Sequence, residues 1–160
     1  MSKSSPESPS ISRATGSIGI VASRYNSTYT DALVNAASET LKSLAPSTSL
    51  TLVRVPGAFE IPLPIESLAK QNPKPLALIA LGVIIRGSTA HADLIAESIT
   101  HSLHRTSLSY EIPVIHEVLL VDNAEQAEAR TIGETLNRGR EAAEAAVEMI
   151  SVMAGLKASD

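Results

Sequence analysis

Residues 76–85 read Leu-Ala-Leu-Ile-Ala-Leu-Gly-Val-Ile-Ile, a run without one polar side chain. A membrane-spanning helix needs about 20 such residues, so this run is too short to cross a bilayer. It is also too uniform for a strand with one wet face, which would alternate apolar and polar positions. It suits a strand covered on both faces, as in a parallel sheet packed between helices. That placement demands helices above and below, and hence a chain that alternates strand and helix.

The remainder of the sequence supplies that alternation. Residues 17–22 and 49–55 are β-branched runs that read as strands, and residues 112–120 read as a fourth. Between them lie helical patterns at about 31–44, 61–71, 91–106 and 137–153, with a shorter helical stretch opening at 124–130. Thr28 or Thr30 is the expected cap of the first helix, Pro46 ends it, and Pro62 is tolerated in the first turn of the second. Strand and helix alternate four times, the signature of an α/β fold with a parallel sheet and right-handed crossovers. No internal repeat is found. Residues 1–15 hold six Ser and two Pro with no apolar period, and are expected to form a disordered tail before a single domain at 16–156.

The composition excludes several classes. The chain has 160 residues, enough for one domain with its own core. It has no Cys, which removes disulfides, thiolate metal sites and cysteine nucleophiles. The net charge of −4 argues against nucleic-acid binding, and no apolar run approaches a membrane span. The N-terminus lacks the apolar core of a secretory signal, and its Glu7 counts against a transit peptide, so a cytoplasmic location is the expectation. One Phe, three Tyr and no Trp leave the core to be built from Ala, Val, Ile and Leu.

Sheets of this kind bind ligands beyond the carboxyl ends of their strands. The loops to inspect are therefore 23–28, 56–60, 86–91 and 120–125. Arg86-Gly87-Ser88-Thr89-Ala90-His91 follows the most apolar strand and opens a helix. Gly87 lets a ligand approach the backbone, and Ser88, Thr89 and the helix start make an anion site, most simply for phosphate. The same residues would also serve as a plain N-cap. His91, beside the anion, is either a proton shuttle near neutral pH or a solvated capping residue. Asp93 does not share a helix face with His91. Tyr25-Asn26 and Phe59-Glu60 each set a ring beside a polar group in neighbouring loops, which suits a flat heterocycle or ordinary loop packing. Arg130 alone reads as a surface cation. His101 and His104 lie one turn apart without a third metal ligand nearby. Neither an HExxH nor a GxSxG motif occurs, and Gly16 and Gly19 precede a strand rather than a helix, so they are no dinucleotide fingerprint.

Taken in order, Tyr25-Asn26, the segment Val55-Pro-Gly-Ala-Phe-Glu-Ile-Pro62, the segment Gly82-Val-Ile-Ile-Arg-Gly-Ser-Thr-Ala-His91, the stretch Glu125-Gln-Ala-Glu-Ala-Arg130 and Asn137-Arg-Gly139 resemble the lumazine synthases. The resemblance spans roughly residues 17–156. It implies a flavodoxin-like α/β/α sandwich with a four-stranded parallel sheet. It implies condensation of 5-amino-6-(D-ribitylamino)uracil with 3,4-dihydroxy-2-butanone 4-phosphate to 6,7-dimethyl-8-ribityllumazine, with release of phosphate and water, the penultimate step of riboflavin biosynthesis. Neither a cofactor nor a metal is implied. The implied assembly is a homo-pentamer with active sites between subunits, extending to a 60-subunit icosahedral shell, with riboflavin synthase as a candidate partner. Residue by residue, the resemblance implies His91 for proton transfer. It implies Tyr25, Asn26, Ala58, Phe59, Glu60, Ile84, Ile85 and His116 around the ribitylaminouracil. Gly87, Ser88, Thr89 and Arg130 match the phosphate site, Arg130 from a neighbouring subunit, and Arg138 matches a proximal cation. Tyr stands at 25 where the family usually has Phe. His116 replaces an apolar or aromatic residue, Ala92 replaces a frequent aromatic, and residues 131–136 lack the usual Ala-Gly start. A non-catalytic lumazine- or riboflavin-binding protein, or a shell protein on the same fold, is the alternative.

Overall fold

The computed structural model describes residues 11–159. Four strands, β1 (Gly16–Ser23), β2 (Thr48–Val55), β3 (Ala77–Ile85) and β4 (Val114–Val121), form one sheet in the order β2-β1-β3-β4. All three pairings are parallel. The helices are α1 (Ser27–Leu44), α2 (Pro62–Ala69), α3 (His91–Tyr110), α4 (Ala124–Thr131) and α5 (Arg138–Ala158), with a 3-10 turn at Ala58–Glu60 before α2.

The sheet separates two apolar layers. Ile18, Ile20, Ile79, Leu81 and Val83 pack on one face with Leu33, Ala37 and Leu41 of α1 and with Ala142, Ala146 and Val147 of α5. Val21, Leu78 and Ala80 pack on the other with Ile65 and Leu68 of α2 and Ile99 and Leu103 of α3. The result is a three-layer α/β/α flavodoxin-like fold. β3 is buried from Ala77 through Val83, on both faces, as its composition requires. Its outward neighbours differ in kind: β1 pairs on one side and β4 on the other. The chain leaves β1 toward β2 and returns to β3, so the strand order reverses between β1 and β3. Loops from these two strands part in opposite directions there and open a crevice.

The layers approach closely where rings are absent. Gly139 lies on α5 against α1, and a Cβ there would sit 2.4 Å from the Leu33 carbonyl oxygen. The expected elements are present with shifted ends. α1 begins at Ser27 rather than near residue 31, because Asn26 takes the left-handed conformation (φ 59°) and starts the helix itself. Asn tolerates that region better than most residues, and neither Thr28 nor Thr30 is needed as a cap. α2 does begin at Pro62. α5 runs on to Ala158.

Of the expected tail, residues 1–10 lie outside the described residues. The described residues 11–15 touch the domain at Ile11. The Ile11 N–H donates to the Leu44 carbonyl at 3.0 Å, and the Ile11 side chain packs on the α1/α5 layer. Among the described residues no helix is long and apolar enough to cross a membrane.

Gly139→Ala is expected to destabilise the protein by about 1–3 kcal/mol, since the added methyl meets backbone that cannot rotate away. A urea midpoint equal to that of the wild type would show that α1 and α5 separate freely.

Candidate active site

Three carboxyl-end segments surround one cavity of about 750 Å³. Tyr25 and Asn26 come from the end of β1, Gly57, Ala58, Phe59 and Glu60 from the end of β2, and Val83, Ile84 and Ile85 from the end of β3. His91, Leu94 and Ile95 close it from α3. The lining residues are held by backbone bonds between the loops. The Arg24 N–H donates to Val55 O at 2.8 Å and the Tyr25 N–H to Pro56 O at 3.1 Å, latching the first loop to the second. Asn26 Nδ2 donates to Val83 O at 2.8 Å and so ties the start of α1 to β3. Glu60 Oε2 accepts from the Gly57 N–H at 2.9 Å, which folds the 3-10 turn back on itself.

The cavity wall is apolar and conspicuously wet. Tyr25 is 73% exposed, Phe59 59% and Leu94 65%. Among the three tyrosines and one phenylalanine, two rings therefore stand in this one crevice with little cover. Rings that pack a core do not stay bare, so this arrangement suits a flat ligand between them.

The loop after β3 has the properties of an anion site. Gly87, Ser88 and Thr89 are exposed, and a Cβ on Gly87 would meet nothing within 4 Å. Among the described residues nothing accepts from the backbone N–H groups of Gly87, Ser88 or Thr89. The His91 N–H reaches Thr89 Oγ1 only at 3.5 Å. Free donors at the start of a 20-residue helix favour an anion through hydrogen bonds and helix dipole together. His91, the first residue of α3, is exposed and lies on the cavity wall between this loop and the rings.

Sequence reading missed several neighbours. Leu94 and Ile95 follow His91 by three and four residues, and that spacing alone sets them on its side of α3. Arg86 sits at the end of β3 with its guanidinium held by Asp93 (Nη2–Oδ1 2.9 Å) and Asp122 (Nη1–Oδ1 2.6 Å). No sequence spacing announces the second pair.

Other predicted site residues lie off this cavity. Arg130 caps its own helix, with Nη1 donating to Gln126 O at 3.1 Å. Arg138 pairs with Glu141 at 2.7 Å at the start of α5. His116 pairs in register with Ala80, on the α2/α3 face of β4, while its neighbour Glu117 pairs with Leu81 and faces α5. None of the three lines the cavity of its own chain. His101 is exposed and its Nε2 lies 3.8 Å from Glu97.

The protonation state of His116 follows from its partners. Thr100 Oγ1 gives its proton to Ala96 O at 2.8 Å, so it accepts from His116 Nε2 at 2.8 Å. The Val118 N–H donates to His116 Nδ1 at 3.1 Å. The ring is therefore the neutral Nε2–H tautomer, and a second proton would meet an N–H head-on. Burial lowers its pKa in the same direction. Burial pushes the Glu117 carboxyl up to about 7; Arg138 opposes that rise and Glu141 adds to it.

Bare rings, free N–H donors and one histidine meet at the switch point of a doubly wound sheet, an arrangement suited to a small planar ligand and an anion. The class is a doubly wound α/β domain with a cavity at the carboxyl ends of its strands. The family model for 6,7-dimethyl-8-ribityllumazine synthase matches residues 15–154. A 6,7-dimethyl-8-ribityllumazine synthase from Polaromonas sp. (strain JS666 / ATCC BAA-500) is 41% identical over 138 residues, which is 86% of this chain and 86% of its own length. The chain belongs to the 6,7-dimethyl-8-ribityllumazine synthase family.

The two adjacent β4 residues bend the stability profile in opposite directions. His116, with its native pKa lowered, contributes stability that is lost as pH falls below the ordinary 6.5. Glu117, raised from 4.5 to about 7, contributes stability that is full below 4.5 and lost as pH rises toward 7, by roughly 3 kcal/mol at most. Glu117→Gln is expected to be more stable than the wild type at pH 8, with the gain shrinking at pH 5. Equal gains at both pH values in urea unfolding would remove ionisation of Glu117 as the cause.

Proposed function

We propose that this chain catalyses the family's reaction, condensing 5-amino-6-(D-ribitylamino)uracil with 3,4-dihydroxy-2-butanone 4-phosphate to 6,7-dimethyl-8-ribityllumazine. The observation that carries the reading is the run of unpaired N–H groups at Gly87, Ser88 and Thr89, between Ile85 and His91, which line a cavity walled by Tyr25 and Phe59. A pocket that only held a finished flavin or lumazine would have no use for free phosphate donors next to an imidazole.

In this reading the pyrimidine lies against Tyr25 and Phe59. Its edge meets Asn26, Ala58, Glu60 and the backbone at Ile84 and Ile85. The phosphate of the second substrate sits on the 87–89 loop, which fixes its carbonyl near the 5-amino group. The amine attacks the ketone, and loss of water gives a Schiff base. A proton is removed from the carbon chain and phosphate leaves by elimination. The ribitylamino nitrogen then closes the ring with loss of a second water. His91 is placed to move a proton in more than one of these steps. Much of the acceleration comes from holding two substrates in one crevice.

The site is read as shared between subunits of a homo-pentamer. Support comes from two sides. Phe59 and Leu94 of the cavity wall are exposed, as is Leu63 on α2, and a neighbour would cover them. Arg130, Arg138 and His116 do not line the cavity of their own chain. Arg130 would then supply a phosphate-binding cation, Arg138 a proximal cation and His116 part of the heterocycle wall. A 60-subunit shell, riboflavin synthase as partner and a cytoplasmic location belong to the same reading.

Mixing both substrates with the protein should give the lumazine chromophore with equimolar phosphate. Tight binding of the ribitylaminouracil without product would favour a storage or antenna protein instead. His91→Ala should lose about 10²-fold in kcat and keep measurable turnover, since orientation of the substrates survives. A folded His91→Ala with no turnover would overturn the view that orientation does most of the work.

A further inference from the structure

The arginine that begins the phosphate loop is the cation nearest to it in sequence, yet its bonding is already committed. Arg86 Nε and Nη2 both donate to Asp93 Oδ1, at 3.2 and 2.9 Å, and Nη1 donates to Asp122 Oδ1 at 2.6 Å. Its backbone N–H donates to Val121 O at 2.8 Å. Asp122 is fixed in turn: its N–H donates to Gln126 Oε1 at 2.9 Å, and Gln126 Nε2 returns a bond to Asp122 Oδ2 at 3.3 Å. One guanidinium thus joins the end of β3, the first turn of α3 and the end of β4.

Two features speak against a role for this arginine as a charge for phosphate. One cation between two carboxylates leaves the cluster net negative, which by itself repels an anion. The hydrogen bonds from Arg86 also hold both carboxyls below the usual carboxylate range, so neither is neutralised near pH 7. What the cluster does supply is geometry. The Arg86–Asp93 pair spans the loop from its first residue to the helix turn after His91, closing residues 86–93 into a ring. Without that closure Gly87, with open space where a Cβ would be, gives the loop nothing to rest on.

We propose that Arg86 is a positioning residue: clamped by Asp93 and Asp122, it presets the Gly87, Ser88 and Thr89 N–H groups for the phosphate and does not bind the phosphate through its own charge. The proposal rests on the phosphate reading of the loop given above. Donors arranged before the ligand arrives bind it without further ordering, which is the advantage of such a ring.

Charge and geometry predict opposite signs for one substitution, and that decides the matter. Asp93→Asn removes a negative charge near the phosphate. Electrostatics alone would tighten phosphate binding; loss of the clamp loosens it. The probe is inorganic phosphate, titrated by calorimetry and as a competitive inhibitor of the full-length protein. Asp93→Asn and Arg86→Lys are each expected to weaken phosphate about 10-fold and to raise KM for the phosphorylated ketone by a similar factor, with KM for the ribitylaminouracil unchanged. Asp93→Glu, which restores the carboxylate, should recover most of the loss. All three residues are exposed, so the variants are expected to fold, and urea midpoints check this. Phosphate binding by Asp93→Asn at or above wild-type strength overturns the clamp while leaving the phosphate site intact. A wild-type protein that does not bind phosphate overturns the site reading and the clamp together.

Discussion

Everything in this molecule hangs on β3 being sealed on both faces. From Ala77 through Val83 no side chain of the strand reaches water, and exposure begins only at Ile84. A strand so apolar could not remain in solution without helices above and below, and those helices must be joined to strands that run the same way. Parallel strands deliver all their carboxyl ends to one edge. The cavity is a consequence: it lies where the covering layers give out and the loops of β1, β2 and β3 turn away from one another. Ile84 and Ile85, the first half-exposed residues of β3, line it together with Val83.

Around that edge the hydrogen bonds divide cleanly by purpose. Bonds that fasten loops are satisfied within the protein: Asn26 to the Val83 carbonyl, Tyr25 to Pro56, Arg86 to two aspartates. In the short loop in front of His91, the N–H groups of Gly87, Ser88 and Thr89 have no partner among the described residues. A folded chain rarely leaves adjacent N–H groups unmade by chance, although exposed ones can rest on water. The edge strand β4 shows the same division. His116 is locked as a neutral ring between Thr100 and Val118, while Glu117 one residue later sits in an unsettled neighbourhood of Arg138 and Glu141.

The sequence was readable where one residue type has one structural meaning. The apolar run of β3, the turn prolines and the loop Arg86-Gly87-Ser88-Thr89 all declared their places, and the cavity gathers Tyr25, Asn26, Phe59, Glu60 and His91 from three separate loops. It was less readable where meaning depends on a distant partner. Asn26 is a helix start only because a left-handed residue fits there and β3 offers its amide a carbonyl. Asp93, set aside for facing away from His91, faces Arg86 instead. Asp122 lies 36 residues from that arginine, a pairing visible only once β3 and β4 are aligned. Ile11 reads as part of a polar tail until the end of α1 provides a surface for it. Arg130, Arg138 and His116 do not line the cavity of their own chain, and position along the sequence does not reveal that.

The scarcity of rings has a consequence for how the protein meets light. With no tryptophan, its near-ultraviolet absorption and emission come from three phenols, and one of them, Tyr25, stands bare in the cavity while Tyr29 and Tyr110 are half-buried elsewhere. Against so dim a background a bound heterocycle supplies nearly all the colour. Quenching of tyrosine emission by anything entering the cavity would be weighted toward the one phenol that lines it, which makes the unmodified chain its own optical gauge of occupancy.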